Sequence, residues 1–168
     1  MRVVAKFGGT SLGTGERIER AAASIADAVA AGHEVAVVAS AMGSTTDDLL
    51  SEISFDAAET DRAEIVSMGE RTSIRMLKAA LASNGIEARF VEPGDDRWPV
   101  VVDEAGDVDE ARTQDRTDAL VEEMTDVVPV IAGFLAERPN GSLATLGRGG
   151  SDTTAVMLGR FMAADEVV

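Results

Sequence analysis

Cysteine and tyrosine are absent from this chain, tryptophan and histidine occur once each, and aromatic residues make up only 4% of its 168 positions. Without cysteine there is no disulfide and no thiolate metal site, which fits a reducing interior. With so few aromatics in an apolar content of 45%, the core has to be built from small aliphatic side chains, mainly alanine and valine. That composition suits alternating helix and parallel strand, not a β-sandwich, so the expected class is α/β. Long hydrophobic runs are missing as well. Nothing approaches a membrane span, and the apolar stretch of the opening "MRVVAKFGG" is too short for a signal peptide. The expectation is a soluble, cytoplasmic protein, long enough for one compact domain and too short for two.

Lysine is scarce too. Lys6 and Lys78 are the only two, the other basic residues are arginine, and the net charge is −15. So acidic a chain argues against nucleic acid and anionic membrane as partners, because both need a basic footprint. Abundant carboxylates with little lysine is what a high-salt cytoplasm favours, since salt screens the self-repulsion. An ordinary acidic mesophilic protein is the alternative, and the shortage of lysine along the whole chain favours the halophilic reading.

Residues 2–7 read as a buried strand, a Gly-rich break follows, and an Ala-rich helix runs from Glu16 to about Ala31, stopped by Gly32. With a second strand at 34–41 this is a βαβ unit, hence parallel strands and a right-handed crossover. Residues 42–60 look loop-like with one or two short helices, and 62–83 has amphipathic helical spacing ended by "NG". A strand at 87–92, a small rim hairpin at 100–108, a helix at 111–126 and a buried strand at 127–135 follow. Ser151 is placed to cap a helix reaching about Ala163, and "ADEVV" reads as the start of a further strand. The whole is expected to be a three-layer αβα arrangement on a mainly parallel sheet.

Two Gly-rich strand-to-helix turns carry the chemistry. In "AKFGGTS" a strand delivers Lys6, and Gly8 and Gly9 expose backbone N–H groups beside the hydroxyls of Thr10 and Ser11, a nest suited to phosphate oxygens. Lys6 precedes the glycines, so this is not a Walker A loop; a purely structural turn is the alternative. In "TLGRGGSDTT", Gly147, Gly149 and Gly150 surround Arg148, a group suited to bidentate capture of a carboxylate or phosphate, ahead of Ser151 and Asp152 at a helix start. Asp152 could accept a bond from Lys6 or could cap the helix. Both turns are expected at one sheet edge, together with Ser40 at the end of the second strand and Thr45 and Thr46 after it. Glu70 in "SMGERTS" reads as a helix-stabilising first-turn carboxylate. His33 is expected to be exposed, the methionines to belong to the core, and Asp95, Asp96, Asp103, Glu104 and Asp107 to form a solvated acidic face. No His/Asp/Glu cluster has metal spacing.

"KFGGTS", "SAMGSTTDDLL", "SMGERTS", "VVPVIAGF" and "TLGRGGSDTTA", in this order, resemble the N-terminal kinase domain of the aspartate kinases (aspartokinases), in the amino-acid kinase superfamily. The resemblance implies ATP-dependent phosphorylation of the side-chain carboxylate of L-aspartate to 4-phospho-L-aspartate, the first step towards lysine, threonine and methionine. It further implies that Lys6 bridges the phosphates and the attacking carboxylate, and that Asp152 orients it. Gly8, Gly9, Thr10, Ser11, Gly149, Gly150 and Ser151 would cradle phosphate. Arg148 would clamp the α-carboxylate of aspartate, Glu70 its ammonium, and Ser40, Thr45 and Thr46 would line the substrate pocket. Mg²⁺ would ride on the ATP phosphates without a protein cage. Members of the family continue past "ADEVV" into the adenine-binding segment and often into regulatory ACT domains. The chain is therefore expected to be the aspartate and phosphate half of a homo-oligomeric parent, inactive or weak alone. A non-catalytic aspartate-binding or assembly module, or a kinase for another acidic small molecule, are the alternatives.

Overall fold

The computed structural model describes residues 1–168. Strand β1 (Arg2–Phe7) pairs in parallel with β2 (Glu34–Ala39), Arg2 opposite Glu34 through Phe7 opposite Ala39. Helix α1 (Gly15–Ala30) makes the crossover between them. Thr14 starts it, its hydroxyl accepting the Arg17 N–H at 3.3 Å, and Ile18, Ala21, Ala22 and Ile25 form its buried stripe. It ends where Gly32 adopts φ +84°, a left-handed conformation open to glycine at no steric cost.

After β2 come α2 (Thr45–Glu52), α3 (Glu59–Ser83), β3 (Ala88–Val91), α4 (Glu110–Glu123) and β4 (Val128–Ala132). A short pair, β5 (Leu135–Glu137) and β6 (Leu143–Thr145), precedes α5 (Gly150–Phe161) and β7 (Glu166–Val167). The main sheet has five parallel strands in the order β3-β4-β2-β1-β7, with β5 and β6 forming a separate antiparallel hairpin. Connections leaving β1 and β2 run one way along the sheet, and those leaving β3 and β4 run the other way. Right-handed crossovers therefore put α1 and α3 on one face and α4 and α5 on the opposite one. This is the expected three-layer αβα arrangement on a mainly parallel sheet. Buried on both faces, the central strands are apolar runs: Val35 to Ala39 and Val130 to Ala132 are all at most 2% exposed. No helix is long and apolar enough to cross a membrane.

Four departures from the sequence-based expectation have physical causes. The expected strand at 127–135 stops at Ala132, because Phe134 takes φ +71° and turns the chain into the β5–β6 hairpin. The 100–108 segment makes one antiparallel bridge, Val102 to Val108, but Val100, Val101 and Val102 are buried beside the fully buried Trp98 and do not form a rim. Of the expected acidic face, Asp96, Asp103, Glu104 and Asp107 are exposed as expected, whereas Asp95 is half-buried because it accepts from the Arg89 guanidinium at 2.8 Å. Finally, Met68 and Met76 lie on the exposed side of α3, while His33 is half-buried.

Candidate active site

The connections leaving β2 and β4 go to opposite faces, which opens a crevice at the carboxyl ends of the strands, where open α/β sheets bind ligands. A cavity of about 280 Å³ occupies it. Lys6, Gly9, Ser40, Thr46, Glu70, Arg148, Gly149, Gly150, Ser151 and Asp152 line it, so segments far apart in sequence converge there. Gly8, Thr10, Ser11 and Thr45 do not line it. Ser11 lines a separate cleft with Phe7, Arg17 and Ser24 on the α1 side, and the Thr45 hydroxyl donates to the Met42 carbonyl at 2.6 Å. Ala41, Gly43, Phe134 and Gly147 also face the cavity. All four lie inside the quoted motifs, and Gly147 is one of the glycines singled out around Arg148.

Lys6 stands near the carboxyl end of β1, and its Nζ lies 2.8 Å from Asp152 Oδ1 in the first turn of α5. The pair joins the two Gly-rich turns, and of the two roles open to Asp152 the structure shows the bond to Lys6. Ser151 does not cap α5. The N-cap position is Gly149, left-handed at φ +73°, with no side-chain cap; the Gly150 N–H donates to the Gly147 carbonyl at 3.0 Å, and the Ser151 and Asp152 N–H groups are left for an external acceptor. Ser151 instead packs on Gly133, where a Cβ would come within 2.6 Å of the Ser151 Oγ. Arg148 is exposed on the loop ahead of the helix and has no carboxylate partner within the chain.

Glu70 is not in a first helical turn. It lies deep within α3 and is 3% exposed. Its Oε1 accepts the Ala41 N–H at 3.3 Å, and its Oε2 is buried without a partner. Burial pushes the carboxyl from its ordinary 4.5 up to about 7, with backbone hydrogen bonds pulling more weakly the other way. Within this acidic chain the cavity thus brings together two cations, one carboxylate paired to Lys6, and one carboxyl poised to ionise near neutral pH.

The wall formed by Phe134 is strained. Its φ of +71° is costly for a bulky residue. Thr154, fully buried, holds it: the Thr154 Oγ1 accepts the Phe134 N–H at 3.1 Å and donates to the Gly150 carbonyl at 2.8 Å. Thr154→Val keeps the shape and leaves the Phe134 N–H unpaired, so it should destabilise the chain by about 1–3 kcal/mol. Urea unfolding of the two proteins measures this. An unchanged midpoint would show that the Phe134 conformation does not depend on Thr154.

With its parallel sheet and paired glycine turns at the crevice, the chain belongs to the amino acid kinase family, which matches it over residues 1–168. Within that family its similar curated relatives are aspartokinases. One from Thermus thermophilus is 38% identical over 98% of the chain, and one from Pseudomonas aeruginosa is 37% identical over 98%. The chain spans 41% of the length of the first and 40% of the second. Among solved structures, the aspartate kinase from Synechocystis is 34% identical, with a TM-score of 0.79 over 98% of this chain and 27% of its own. The E. coli aspartokinase III in complex with aspartate and ADP shares the fold, with a TM-score of 0.85 at 21% identity, covering 99% of this chain and 48% of its own.

Proposed function

We propose that this chain is the aspartate- and phosphate-binding part of a kinase that transfers the γ-phosphoryl group of ATP to the side-chain carboxylate of L-aspartate. Its products are ADP and 4-phospho-L-aspartate. The observation that carries this reading is the unpaired Arg148 and the buried Glu70 facing one cavity with Lys6: a cation for the α-carboxylate, an anion for the ammonium, and a second cation for the reacting end. Similarity to the aspartokinases, one of them solved with aspartate and ADP, supports the same assignment.

The acceptor is already an anion, so no base has to remove a proton. A carboxylate oxygen forms the new bond to the γ-phosphorus as the bond to the β-phosphate oxygen breaks, and the electron pair leaves on ADP. What the protein has to supply is alignment and neutralisation of charge. Lys6, oriented by Asp152, sits between phosphate and acceptor. The first turn of α5, together with the Gly9 turn, offers N–H groups to the phosphate oxygens. When bound, Mg²⁺ would neutralise the phosphates from the nucleotide's side.

Titration calorimetry of this chain with L-aspartate in high salt tests the reading. Saturable binding that Arg148→Ala weakens at least 100-fold is expected, since a bidentate charge-assisted pair would be lost. Binding unchanged in Arg148→Ala would overturn the assignment of the clamp. No binding by a chain that circular dichroism shows to be folded would overturn the claim that this part holds aspartate by itself. Glu70 also argues against acceptors whose amine is acylated: N-acetylglutamate has no ammonium for it, and should not bind.

A further inference from the structure

Gly69 lies inside α3, where glycine is destabilising by about 1 kcal/mol relative to alanine. Its backbone is not in the left-handed region, unlike that of Gly43 or Gly149, so conformational freedom is not the reason for glycine here. Space is. A Cβ at Gly69 would lie 2.7 Å from the Ala41 Cβ and 3.4 Å from the Thr45 Cγ2, closer at Ala41 than carbon atoms can pack.

The loop that meets Gly69 is also held on the β1–α1 side. The Gly43 N–H donates to the Gly9 carbonyl at 2.9 Å, and a Cβ at Gly9 would lie 2.9 Å from both the Ala41 and the Gly43 carbonyl oxygens. Residues 41–43 are thus bounded by the Gly9 turn and by the bare backbone of Gly69. A methyl group on α3 could be accommodated only by moving the loop, and the Gly9 turn leaves little room for that.

We propose that Gly69 is a positioning residue: by having no side chain, it lets the loop after β2 lie against α3, so that the Ala41 N–H reaches the Glu70 carboxylate and Ser40 and Thr46 face the cavity. The loop in turn covers Glu70, which shares the cavity with Lys6, Arg148 and Asp152. Gly69 touches no substrate in this account and acts through Ala41 and Glu70. The packing argument is independent of the substrate; the consequence for L-aspartate rests on the function proposed above.

Three proteins test it: the unaltered chain, Gly69→Ala, and Gly69→Ala combined with Ala41→Gly, which removes the opposing methyl group. Amide hydrogen exchange at residue 41 and the carbon-13 titration of the Glu70 carboxyl are read by NMR, and L-aspartate affinity by calorimetry. Gly69→Ala should speed exchange at residue 41 at least tenfold, move the Glu70 midpoint towards that of a solvated carboxyl, and weaken L-aspartate binding at least tenfold. The double variant should restore all three. Exchange and titration unchanged in Gly69→Ala would overturn the proposal, as would a folded double variant that restores neither. Should Gly69→Ala fail to fold, the double variant decides: folded with unaltered values it supports the proposal, unfolded it overturns it. Expected exchange and titration in a chain that binds no L-aspartate would leave the positioning role standing and sink the substrate reading alone.

Discussion

Replacing Glu70 by glutamine should raise the melting temperature of this chain above pH 7 by roughly 6–12 °C and abolish its affinity for L-aspartate. The carboxyl titrates near 7 in the folded protein against 4.5 when unperturbed. Below about pH 4.5 it is protonated in both states and has no effect on stability. Between 4.5 and 7 the unfolded chain loses this proton and the folded one keeps it, so stability falls as pH rises. Above 7 the full penalty is present, about 3 kcal/mol at roughly 1.4 kcal/mol per pH unit. Glutamine keeps an acceptor for the Ala41 N–H and carries no charge to desolvate, so the penalty disappears. What disappears with it is the anion that the ammonium of a bound amino acid would neutralise. Thermal melts of both proteins between pH 4 and 9 check the first half. A melting-temperature difference that does not grow with pH would show that Glu70 ionises as easily folded as unfolded. In the unaltered chain, L-aspartate binding should release a proton and weaken up to tenfold per pH unit below 7, because the ammonium selects the ionised carboxylate.

Lys6→Met, made in a full-length kinase carrying this chain, should lower kcat by about 10³-fold with a smaller change in KM for L-aspartate. Lys6, fixed by Asp152 at 2.8 Å, joins the two glycine turns, and in the proposed reaction its contribution would grow as charge spreads over the phosphoryl group in transit. Lys6→Arg should not restore the rate, since a planar fork cannot take the place of a compact ammonium beside Asp152. Asp152→Asn should cost less, about tenfold, because it loosens the lysine without removing its charge. Steady-state ADP release at saturating ATP measures all three. A Lys6→Met enzyme keeping more than a tenth of kcat would exclude Lys6 from the reacting end. Asp152→Asn costing as much as Lys6→Met would show that Asp152 touches the reactants itself.

Composition and periodicity determined the class of fold, the βαβ opening and the long third helix, because burial of small aliphatic side chains at fixed spacing is a local pattern. The motif "TLGRGGSDTT" likewise pointed to Arg148 and Asp152, and "AKFGGTS" to Lys6, since strand-to-helix turns bring their residues to one sheet edge. Tertiary structure alone decided how each residue is used. Ser11 and Thr45 carry hydroxyls as suitable as those of Ser40 and Thr46, yet backbone direction turns them to the α1 side and to the Met42 carbonyl. Phe134 breaks an apolar run that reads as a continuous strand, held in a left-handed conformation by a threonine 20 residues further on. Glu70 looked like an ordinary helix carboxylate, and its raised pKa comes from a loop that joins it across 29 residues of sequence. Desolvation depends on what packs over a group, and what packs over Glu70 depends on Gly69 having no side chain. Neither dependence leaves a periodic trace in the sequence.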